Sequence, residues 1–574
     1  MGEADAAAGV PPAQILLARD PGAGWTLVHL DATGAETRRE TASEPDVAGR
    51  VAYWERLCAP RWVVRSLREI YPPLLAEGVR LRRAHDLLLC HAILRDTALL
   101  PRPLTASSAW RRVDPVDPAP QALFELGSTG ETAPAGADHL LAQWGAQLEA
   151  LSRAPDARLD LLCRAESTGA LVAEEMTAAG LPWDRAAHER ILEETLGPRP
   201  VAGGRPVRMA ELAQRVGDLL GDPEVPIDSP PRLLRALHRA GILVESTSRW
   251  ELASEEHPAI EPLLAYKKLA RLHTANGWTW LREWVREGRF RPVYLTGGVV
   301  TGRWASSGGG ALQIPRGLRA AVRADEGWVF VLADVAQLEP RVLAAMSQDR
   351  SMADAAQGAD LYEGVVRSGA VATREEAKYA VLGAMYGSTT GESGRLVPRL
   401  RKVFPRAMAL VDDAARIGED GGVVSTLLGR SSPLPDAGWR AAQSRASDVD
   451  AGGADERRAR SRARDRGRFT RNFVVQGTAA EWSLLWLAEI RHRLSSFPAA
   501  EVPVRASGPV FERAAHLAFF LHDEVIVHCP QEQAEEAAEA VRAAATAATS
   551  RLFPGFEIEV PLDLRIAEHA GKGP

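Results

Sequence analysis

Lysine and asparagine are almost missing from this sequence. Only 5 of the 69 Lys and Arg residues are lysine, and the only two asparagines are Asn276 and Asn472. Lysine can give up a proton, whereas arginine hardly can, so a surviving lysine marks a position where arginine is a poor substitute. Lys378 and Asn472 are therefore early candidates for functional residues.

Cysteine and long apolar runs are also scarce. Metal-ligand spacing is absent among the 4 cysteines, which are Cys58, Cys90, Cys163 and Cys529. This pattern favours a reducing compartment and argues against a zinc site. No stretch reaches the roughly 18 apolar residues of a membrane span, and the N-terminal MGEADAAAGVPP lacks a basic segment before an apolar one. We expect a cytoplasmic protein without a membrane partner.

The remaining composition is that of a large soluble protein. The chain has 574 residues, of which 46% are hydrophobic and 25% charged, so it exceeds the size of one core and predicts several domains. The net charge of -6 excludes a chain that is basic throughout. A local basic patch could still bind nucleic acid.

The first 290 residues divide into two patterns. Residues 1–160 predict a small α/β domain, with a hairpin from the apolar runs Ile15–Ala18 and Trp25–Leu30. Residues 161–290 show helical spacing. Lys267 and Lys268 lie on one of these helices, and they form either a solvated basic face or a contact to a phosphate backbone.

Two short stretches place carboxylates at the ends of predicted strands. Trp328–Ala333 reads as a buried strand that ends at Asp334, which either caps the following helix or serves as a metal ligand or catalytic acid. Near the C-terminus, His522-Asp523-Glu524 lies between two apolar runs. This second pattern predicts a hairpin with carboxylates at its tip, although acids are also common in ordinary turns.

A helical segment, 372–387, carries a stripe at i+4 steps, formed by Arg374, Lys378, Leu382 and Tyr386. The neighbouring cations repel each other unless an anion lies across them. Glu375 and Glu376 could supply that anion locally, and a triphosphate is the functional alternative.

Residues 436–467 are polar and rich in Ala, Gly, Arg and Asp, and we predict a long flexible loop. The first part of this segment is either a solvated basic loop or a contact to DNA. Beyond it, Arg468, Asn472 and Gln476 follow at i+4 steps, which offers donors suited to phosphates and minor-groove acceptors. Arg303, in a glycine-rich loop, is a further candidate for such contacts.

Taken in order, these motifs resemble those of family A DNA polymerases. The first signature appears as Asp334-Val335-Ala336-Gln337-Leu338-Glu339-Pro340-Arg341, and the third is His522-Asp523-Glu524. The second appears as Arg374, Lys378, Leu382-Gly383 and Tyr386-Gly387. Supporting matches are Thr301-Gly302-Arg303, Leu312-Gln313, Thr426–Arg430 and Gln476–Ala480.

The resemblance implies an α/β multidomain fold, with an RNase H-like exonuclease-type domain followed by a right-hand polymerase. The expected boundaries are 1–160 for the exonuclease-like domain, 161–285 for the thumb, 286–346 for the first part of the palm, 347–465 for the fingers with the Arg-rich loop, and 466–574 for the second part of the palm. The implied activity is template-directed DNA synthesis by a monomer, with primer-template DNA and dNTPs as substrates.

The resemblance also implies roles for individual residues. Asp334 and Asp523 would bind two Mg²⁺ ions, Glu524 would support them, and Lys378 would be the acid for pyrophosphate. The implied nucleotide-binding residues are Arg374, Lys378, Leu382, Tyr386, Gln337 and Glu339, the last of which would exclude a 2′ hydroxyl. The implied DNA contacts are Arg303, Gln313, Arg468, Asn472, Gln476 and His522, to which the helical region adds Lys267 and Lys268.

Several departures from the family pattern qualify these expectations. Leu382 replaces an aromatic residue, and Val335, Ala336 and Pro340 alter the first signature. The exonuclease Asp-x-Glu is missing from 15–36, and Pro134 stands where the tyrosine partner of Asp138 would be. We therefore predict a catalytically inactive exonuclease-like domain. A single-subunit RNA polymerase-like enzyme and a non-catalytic DNA-binding relative are the alternatives.

Overall fold

The computed structural model describes residues 11–20, 24–110, 136–310, 314–387, 391–448 and 451–571. The chain divides into two compact units. The first comprises residues 1–179, 293–307 and 327–567, and the second comprises residues 180–292, 308–326 and 568–574. No helix among the described residues is long and apolar enough to cross a membrane.

The N-terminal part of the first unit is built on a five-stranded mixed sheet. Its elements are β1 (Gln14–Asp20), β2 (Gly24–Leu30), β3 (Glu36–Ala42), α1 (Val47–Cys58), β4 (Arg61–Val64), α2 (Leu67–Ala76), β5 (Arg83–Asp86), α3 (Leu87–Asp96) and α4 (Ala137–Ser152). The strand order is β3-β2-β1-β4-β5, with β1 antiparallel to β2 and parallel to β4. The predicted hairpin is confirmed.

Both faces of this sheet are covered. Alternate residues of β1 point to opposite faces, so Ile15 and Leu17 pack with α1 and α2, whereas Leu16 and Ala18 pack with α4. All four side chains are fully buried. This explains why the central part of β1, Ile15–Ala18, is an uninterrupted apolar run.

After α5 (Arg158–Ala179), the second unit is mainly helical. Its elements are β6 (Leu181–Pro182), α6 (Arg185–Leu196), α7 (Val207–Leu220), α8 (Pro230–Arg239), α9 (Arg249–Leu252), α10 (Ile260–Asn276), α11 (Trp278–Trp284), β7 (Val285–Arg286) and β8 (Arg289–Phe290). The helical spacing predicted these helices. Gly277 separates α10 from α11 with an extended backbone, and it lies so close to the His273 carbonyl that no Cβ would fit there.

The rest of the first unit contains a second sheet and a group of helices. Its elements are β9 (Tyr294–Leu295), β10 (Ala305–Ser306), β11 (Trp328–Val335), α12 (Leu338–Ser347), α13 (Arg350–Ala355), α14 (Leu361–Arg367), α15 (Arg374–Tyr386), α16 (Gly391–Val403), α17 (Pro405–Glu419), α18 (Ala437–Ala446), α19 (Gly453–Leu494), α20 (Gly508–Phe511), β12 (His516–Leu521), β13 (Glu524–Pro530), α21 (Ala534–Leu552) and β14 (Leu562–Ala567). The antiparallel sheet has the order β12-β13-β11-β14.

The prediction of a flexible loop at residues 436–467 is wrong. The segment forms α18 and the first turns of α19, which is 42 residues long. Alanine and arginine are among the best helix formers, and the stretch from Ala454 to Arg466 contains neither glycine nor proline. Pairs such as Glu456 with Arg460, four residues apart and 3.2 Å from each other, add to helix stability.

Candidate active site

The pairing of β11 with β13 brings two distant acids together. Asp334 lies opposite Glu524 in the antiparallel register, and the backbone N–H of Val335 donates to the carbonyl of Asp523 over 2.9 Å. The strand continues one residue past Asp334, and the residue that caps α12 is Gln337. The alternative interpretation of Asp334 as a helix cap is therefore wrong.

The two carboxylates influence each other electrostatically. Burial and then the neighbouring Asp334 raise the pKa of Asp523 to about 6. Two negative charges held this close favour a cation between them. Across the residues that the structure describes, no group of three or more His, Cys, Asp or Glu side chains is arranged to hold a metal ion. The protein thus provides a pair of acids, and magnesium sites often add substrate phosphates to one or two carboxylates.

The hairpin tip that carries Asp523 has an unusual backbone. His522 adopts a left-handed conformation with φ 56°, and its carbonyl accepts a 2.9 Å hydrogen bond from the Ser483 hydroxyl on α19. Its buried Nδ1 has no hydrogen-bond partner among the residues that the structure describes. Burial, followed by the nearby Arg303, lowers the pKa of His522. The neutral ring is available to a ligand.

Helix α15 presents its predicted stripe to solvent. Thr373 and Glu376 form a capping box at its start, and Gly387 ends it with φ 72°. Arg374 and Lys378 are exposed, whereas Leu382 is half-buried. The partner of Arg374 is Asp360, whose carboxylate lies 2.6 Å from the Arg374 Nε. Local pairing with Glu375 or Glu376 is therefore not what satisfies this arginine.

Asp360 was not identified from the sequence. Its Oδ1 caps α14 through the Tyr362 N–H over 2.9 Å, while its Oδ2 accepts from Arg374. The aromatic ring of Tyr362 also lies under the Arg374 guanidinium, 5.7 Å from its centre. The only sequence signal was that of an acidic helix cap.

Glu339 forms the centre of a second contact group. It is the second residue of α12, and its carboxylate accepts a 2.7 Å hydrogen bond from the Tyr386 hydroxyl and forms a short ion pair with Arg303. Burial and this carboxylate raise the pKa of Tyr386. The group therefore joins three predicted site residues that come from distant parts of the chain.

These side chains surround a cavity of about 230 Å³. Its wall includes Arg303 and predicted residues from all three family signatures, namely Gln337, Glu339, Leu382, Tyr386, His522 and Asp523. Ala479, Ala480 and Ser483 of α19 complete one side. Pro340 falls in the first turn of α12, where the missing N–H costs little.

Arg341 ends the first signature, but the sequence alone indicated no role for it. Its side chain is fully buried, and it donates to the carbonyls of Ala336, Ala356, Gly358 and Glu559. Burial lowers its pKa to about 10. Gln337, which has φ 49°, accepts from the Leu361 N–H over 3.2 Å. Arg341 thus joins the start of α12 to the loop before α14.

The stripe predicted on α19 is only partly exposed. Arg468 pairs with Asp465, and Gln476 accepts a 3.1 Å hydrogen bond from the Thr301 hydroxyl. Asn472 is half-buried on the same side of the helix. Gln313 lies outside the described residues.

In the second unit, Lys267 and Lys268 line a groove of about 1290 Å³ together with Arg249, Arg271 and Arg316. The Lys267 ammonium lies 3.2 Å from the Thr247 hydroxyl, and burial lowers its pKa. No aspartate or glutamate is found among the described residues that line the groove. This composition suits an anionic ligand.

The acids of the N-terminal part have structural contacts. Asp138 accepts from Arg39 over 2.7 Å, and Asp86 caps α3 through the Leu89 N–H. Burial raises the pKa of Asp86 to about 6. Pro134 lies outside the described residues.

Comparison with known proteins identifies the family. The model of DNA polymerase family A matches residues 207–570, more than half of the chain. DNA polymerase I from Thermus aquaticus is 27% identical over 50% of this chain, and that from Chloroflexus aurantiacus is 29% identical over 61%. These matches span 33% and 35% of the relatives' own lengths, so the chain covers about a third of each.

A solved structure extends the similarity to the fold. The POL domain of Pol1 from M. smegmatis, in complex with DNA primer-template and dNTP, aligns with a TM-score of 0.67 and 19% identity. The alignment covers 97% of this chain and 95% of that domain. The predicted mixed α/β class is confirmed. By the match over residues 207–570, this chain belongs to DNA polymerase family A.

Proposed function

We propose that this protein is a template-directed DNA polymerase that extends the 3′ end of a primer with dNTPs. The observation that carries the proposal is the meeting of Asp334 and Asp523 beside a cavity whose wall includes Glu339 and Tyr386. Membership of the family and the fold shared with a polymerase domain bound to primer-template DNA and dNTP add support.

The acid pair suits magnesium. Asp334 and Asp523 would hold two Mg²⁺ ions, and Glu524, paired with Asp334 across the strands, would support this arrangement. When bound, the ions would lower the pKa of the primer 3′ hydroxyl and offset the charge of the transferred phosphoryl group.

The exposed stripe of α15 is assigned to the nucleotide. Arg374 would exchange its present partner, Asp360, for the triphosphate. Lys378 would also bind the triphosphate and would protonate the leaving pyrophosphate. The described residues offer Lys378 no ion pair, which leaves its ammonium available. Leu382 and Tyr386 would line the base, while Glu339 would stand beside the sugar and Gln337 would support the α12 start.

The remaining polar residues are assigned to DNA. Arg303, His522 and Gln476 would contact the primer terminus and the minor groove, together with Arg468, Asn472 and Gln313. Lys267 and Lys268 would contact phosphates in the basic groove of the second unit. Such contacts position the duplex without reading its sequence.

The proposed domain assignment keeps the boundaries predicted above, with the Arg-rich segment of the fingers now helical. We also propose that the N-terminal domain lacks 3′ to 5′ exonuclease activity, because the Asp-x-Glu that would bind its metals is missing from 15–36 and Asp86 is a buried helix cap. A 3′ to 5′ degradation of primer that an acidic mutation within residues 1–160 abolishes would contradict this.

A primer-extension assay with Mg²⁺ tests the main proposal. We expect Asp334→Asn and Asp523→Asn to reduce the rate by about 1000-fold, since each removes a charge that the transition state requires. Asp354→Asn, at an exposed acid on α13, is the matched control and should extend primers normally. The proposal fails if the wild-type protein extends no primer, or if both active-site variants retain its rate.

The same assay with ribonucleotides separates the two polymerase classes. Preference for dNTPs is expected because Glu339 is held at the cavity wall by Tyr386 and Arg303. Equal or better use of rNTPs would favour an RNA polymerase-like enzyme.

A further inference from the structure

The N-terminal half of α19 carries four arginines on one side. Arg457, Arg460, Arg464 and Arg468 follow each other at steps of three or four residues, which keeps them on one helix face. All four are exposed. We refer to these four residues as the arginine stripe. Continued at steps of four, the same face reaches Asn472 and Gln476.

The opposite face of this half-helix is fixed by packing. Ala459 and Thr470 are buried, and a Cβ added at Gly418 of α17 would clash with the Thr470 side chain. Arg466, off the stripe, donates to the carbonyls of Gly422 and Pro433 over 2.7 and 3.0 Å. The rotation of α19 is therefore set, and the arginine stripe must face solvent.

The arginine stripe has little compensating negative charge. Arg460 lies 3.2 Å from Glu456, and Arg468 pairs with Asp465. These pairs are exposed and worth little, so a phosphate can replace them at small cost. Arg457 and Arg464 have no ion pair with any described acid. Like charges four residues apart repel, which a polyanion would relieve.

The arginine stripe leads directly to the candidate active site. Ala479 and Ala480, further along α19, line the cavity. With a rise of about 1.5 Å per residue, Arg457 lies roughly 33 Å from Ala479 along the helix. Arg468 packs against Gly387, the residue after Tyr386. The stripe therefore leads away from the cavity past Tyr386.

We propose that the arginine stripe binds the phosphate backbone of the unpaired template strand ahead of the active site. The inference rests on the proposed function, which requires a template strand to reach the cavity that Tyr386 lines. A single row of cations on a helix can follow one strand. Arginine side chains can also stack on unpaired bases, which a duplex does not expose.

Equilibrium binding without nucleotide tests this proposal independently of catalysis. Fluorescence anisotropy would compare primer-templates with 5′ template overhangs of about 1 and about 12 nucleotides. The wild-type protein should bind the long overhang more tightly. We call the ratio of the two affinities, long overhang over short, the overhang gain. In the triple variant Arg457→Gln, Arg460→Gln, Arg464→Gln, the overhang gain should fall by about tenfold. The slope of log affinity against log salt concentration for the long overhang should decrease in magnitude by about 2.

Two further variants separate the effect from folding and net charge. The triple Arg→Lys variant keeps the positive charge and should retain most of the gain. Arg50→Gln, Arg56→Gln, Arg542→Gln removes equal charge from exposed sites on α1 and α21 and should bind as the wild type does. Far-ultraviolet circular dichroism would verify that α19 remains helical.

A blunt duplex of equal total length distinguishes the single strand from the duplex as the source of phosphates. The proposal is overturned if the triple Gln variant keeps the full overhang gain, or if it loses equal affinity for the blunt duplex. Failure of the proposed polymerase activity would instead appear as absent primer extension by the wild-type protein, with these binding results still measurable.

Discussion

At the scale of single residues, Glu339 is held by two partners that fix its carboxylate beside the cavity. The Tyr386 hydroxyl donates to it over 2.7 Å, and Arg303 provides the opposite charge. A side chain held this way keeps a defined volume. That property is what discrimination between two sugars requires.

Glu339→Ala should therefore weaken sugar discrimination. We expect the ratio of kcat/KM for dNTPs over rNTPs to fall by about 100-fold, because the space for a 2′ hydroxyl opens. Single-nucleotide incorporation with matched dNTP and rNTP measures this ratio.

Tyr386→Phe is the matched variant, since it keeps the ring and removes only the donor to Glu339. A hydrogen bond to a charged group contributes about 1.5 to 3 kcal/mol, so discrimination should fall part of the way. An unchanged ratio in both variants would show that Glu339 does not exclude the 2′ hydroxyl.

Asp360→Asn should improve nucleotide binding. The substitution keeps an oxygen to cap α14 and removes the charge that holds Arg374. An exposed ion pair contributes up to about 1 kcal/mol, so the KM for dNTP should decrease by up to about fivefold. Steady-state kinetics measures this. Glu363→Gln, a neighbouring acid on α14, should leave KM unchanged, and a raised KM in Asp360→Asn would contradict the prediction.

The sequence identified the acids but not their supporting partners. Asp334 and Asp523 stand at the ends of apolar runs, so a local pattern was enough to single them out. Arg341 and Asp360 act through contacts between loops. Such contacts depend on how α12, α14 and the segment near Glu559 pack together, which no local pattern records.

At the scale of elements, helix α15 depends on its first turn. The Thr373 hydroxyl accepts from the Glu376 N–H over 3.1 Å, and the Glu376 carboxylate accepts from the N–H groups of Ala372 and Thr373. This capping box begins the helix at Arg374. The start of the helix in turn sets the orientation of Arg374 and Lys378.

Thr373→Ala should destabilise the protein by about 1 kcal/mol through the lost cap, and it should weaken dNTP binding because the first turn of α15 frays. Thr373→Ser keeps a hydroxyl and should behave as the wild type does. Urea unfolding and hydrogen exchange of the α15 amides measure the two effects. Equal protection of these amides in both variants would refute the role of the cap.

The elements could mostly be predicted from the sequence. The helices of the second unit and the two hairpins showed clear periodicity. The Arg-rich segment was misassigned because its polarity suggested a loop, whereas its Ala and Arg content gives high helix propensity. Two contacts then hold α18 in place. The Trp439 ring lies against Gly421, and the Gln443 amide donates to the Ala459 carbonyl of α19 over 3.0 Å.

At the scale of the whole molecule, a buried ionic cluster connects distant parts of the first unit. Glu175 of α5 accepts from Arg491 of α19 and from Arg80, which precedes β5. Burial alone would raise the pKa of Glu175, but the two guanidinium groups outweigh burial and lower it to about 2. Arg491 also donates to the Arg82 carbonyl over 2.9 Å.

Glu175→Gln should destabilise the protein by about 3 to 5 kcal/mol at pH 7, because the buried Arg491 and the half-buried Arg80 lose their partner. A carboxyl group with a lowered pKa stabilises the fold above its unfolded value of about 4.5. This contribution is lost as the pH falls towards 2. The difference in unfolding free energy between the wild type and the variant should therefore narrow below about pH 4.5.

Denaturant unfolding at several pH values measures that difference. Glu174→Gln, at the adjacent position, is the control, because burial raises the pKa of Glu174 to about 7. For Glu174→Gln, the difference in unfolding free energy from the wild type should not narrow as the pH falls below about 4.5. A difference for Glu175→Gln that stays constant from pH 7 to pH 3 would contradict the assignment of the charge.

Helix α19 also sets the distance and the rotation between the groups at its two ends. It runs without proline from Gly453 to Leu494, roughly 63 Å, with the arginine stripe near one end and Arg491 near the other. One residue inserted between Arg468 and Asn472 would turn one half against the other by about 100°. The helix therefore fixes both the spacing and the relative rotation of the arginine stripe and Arg491.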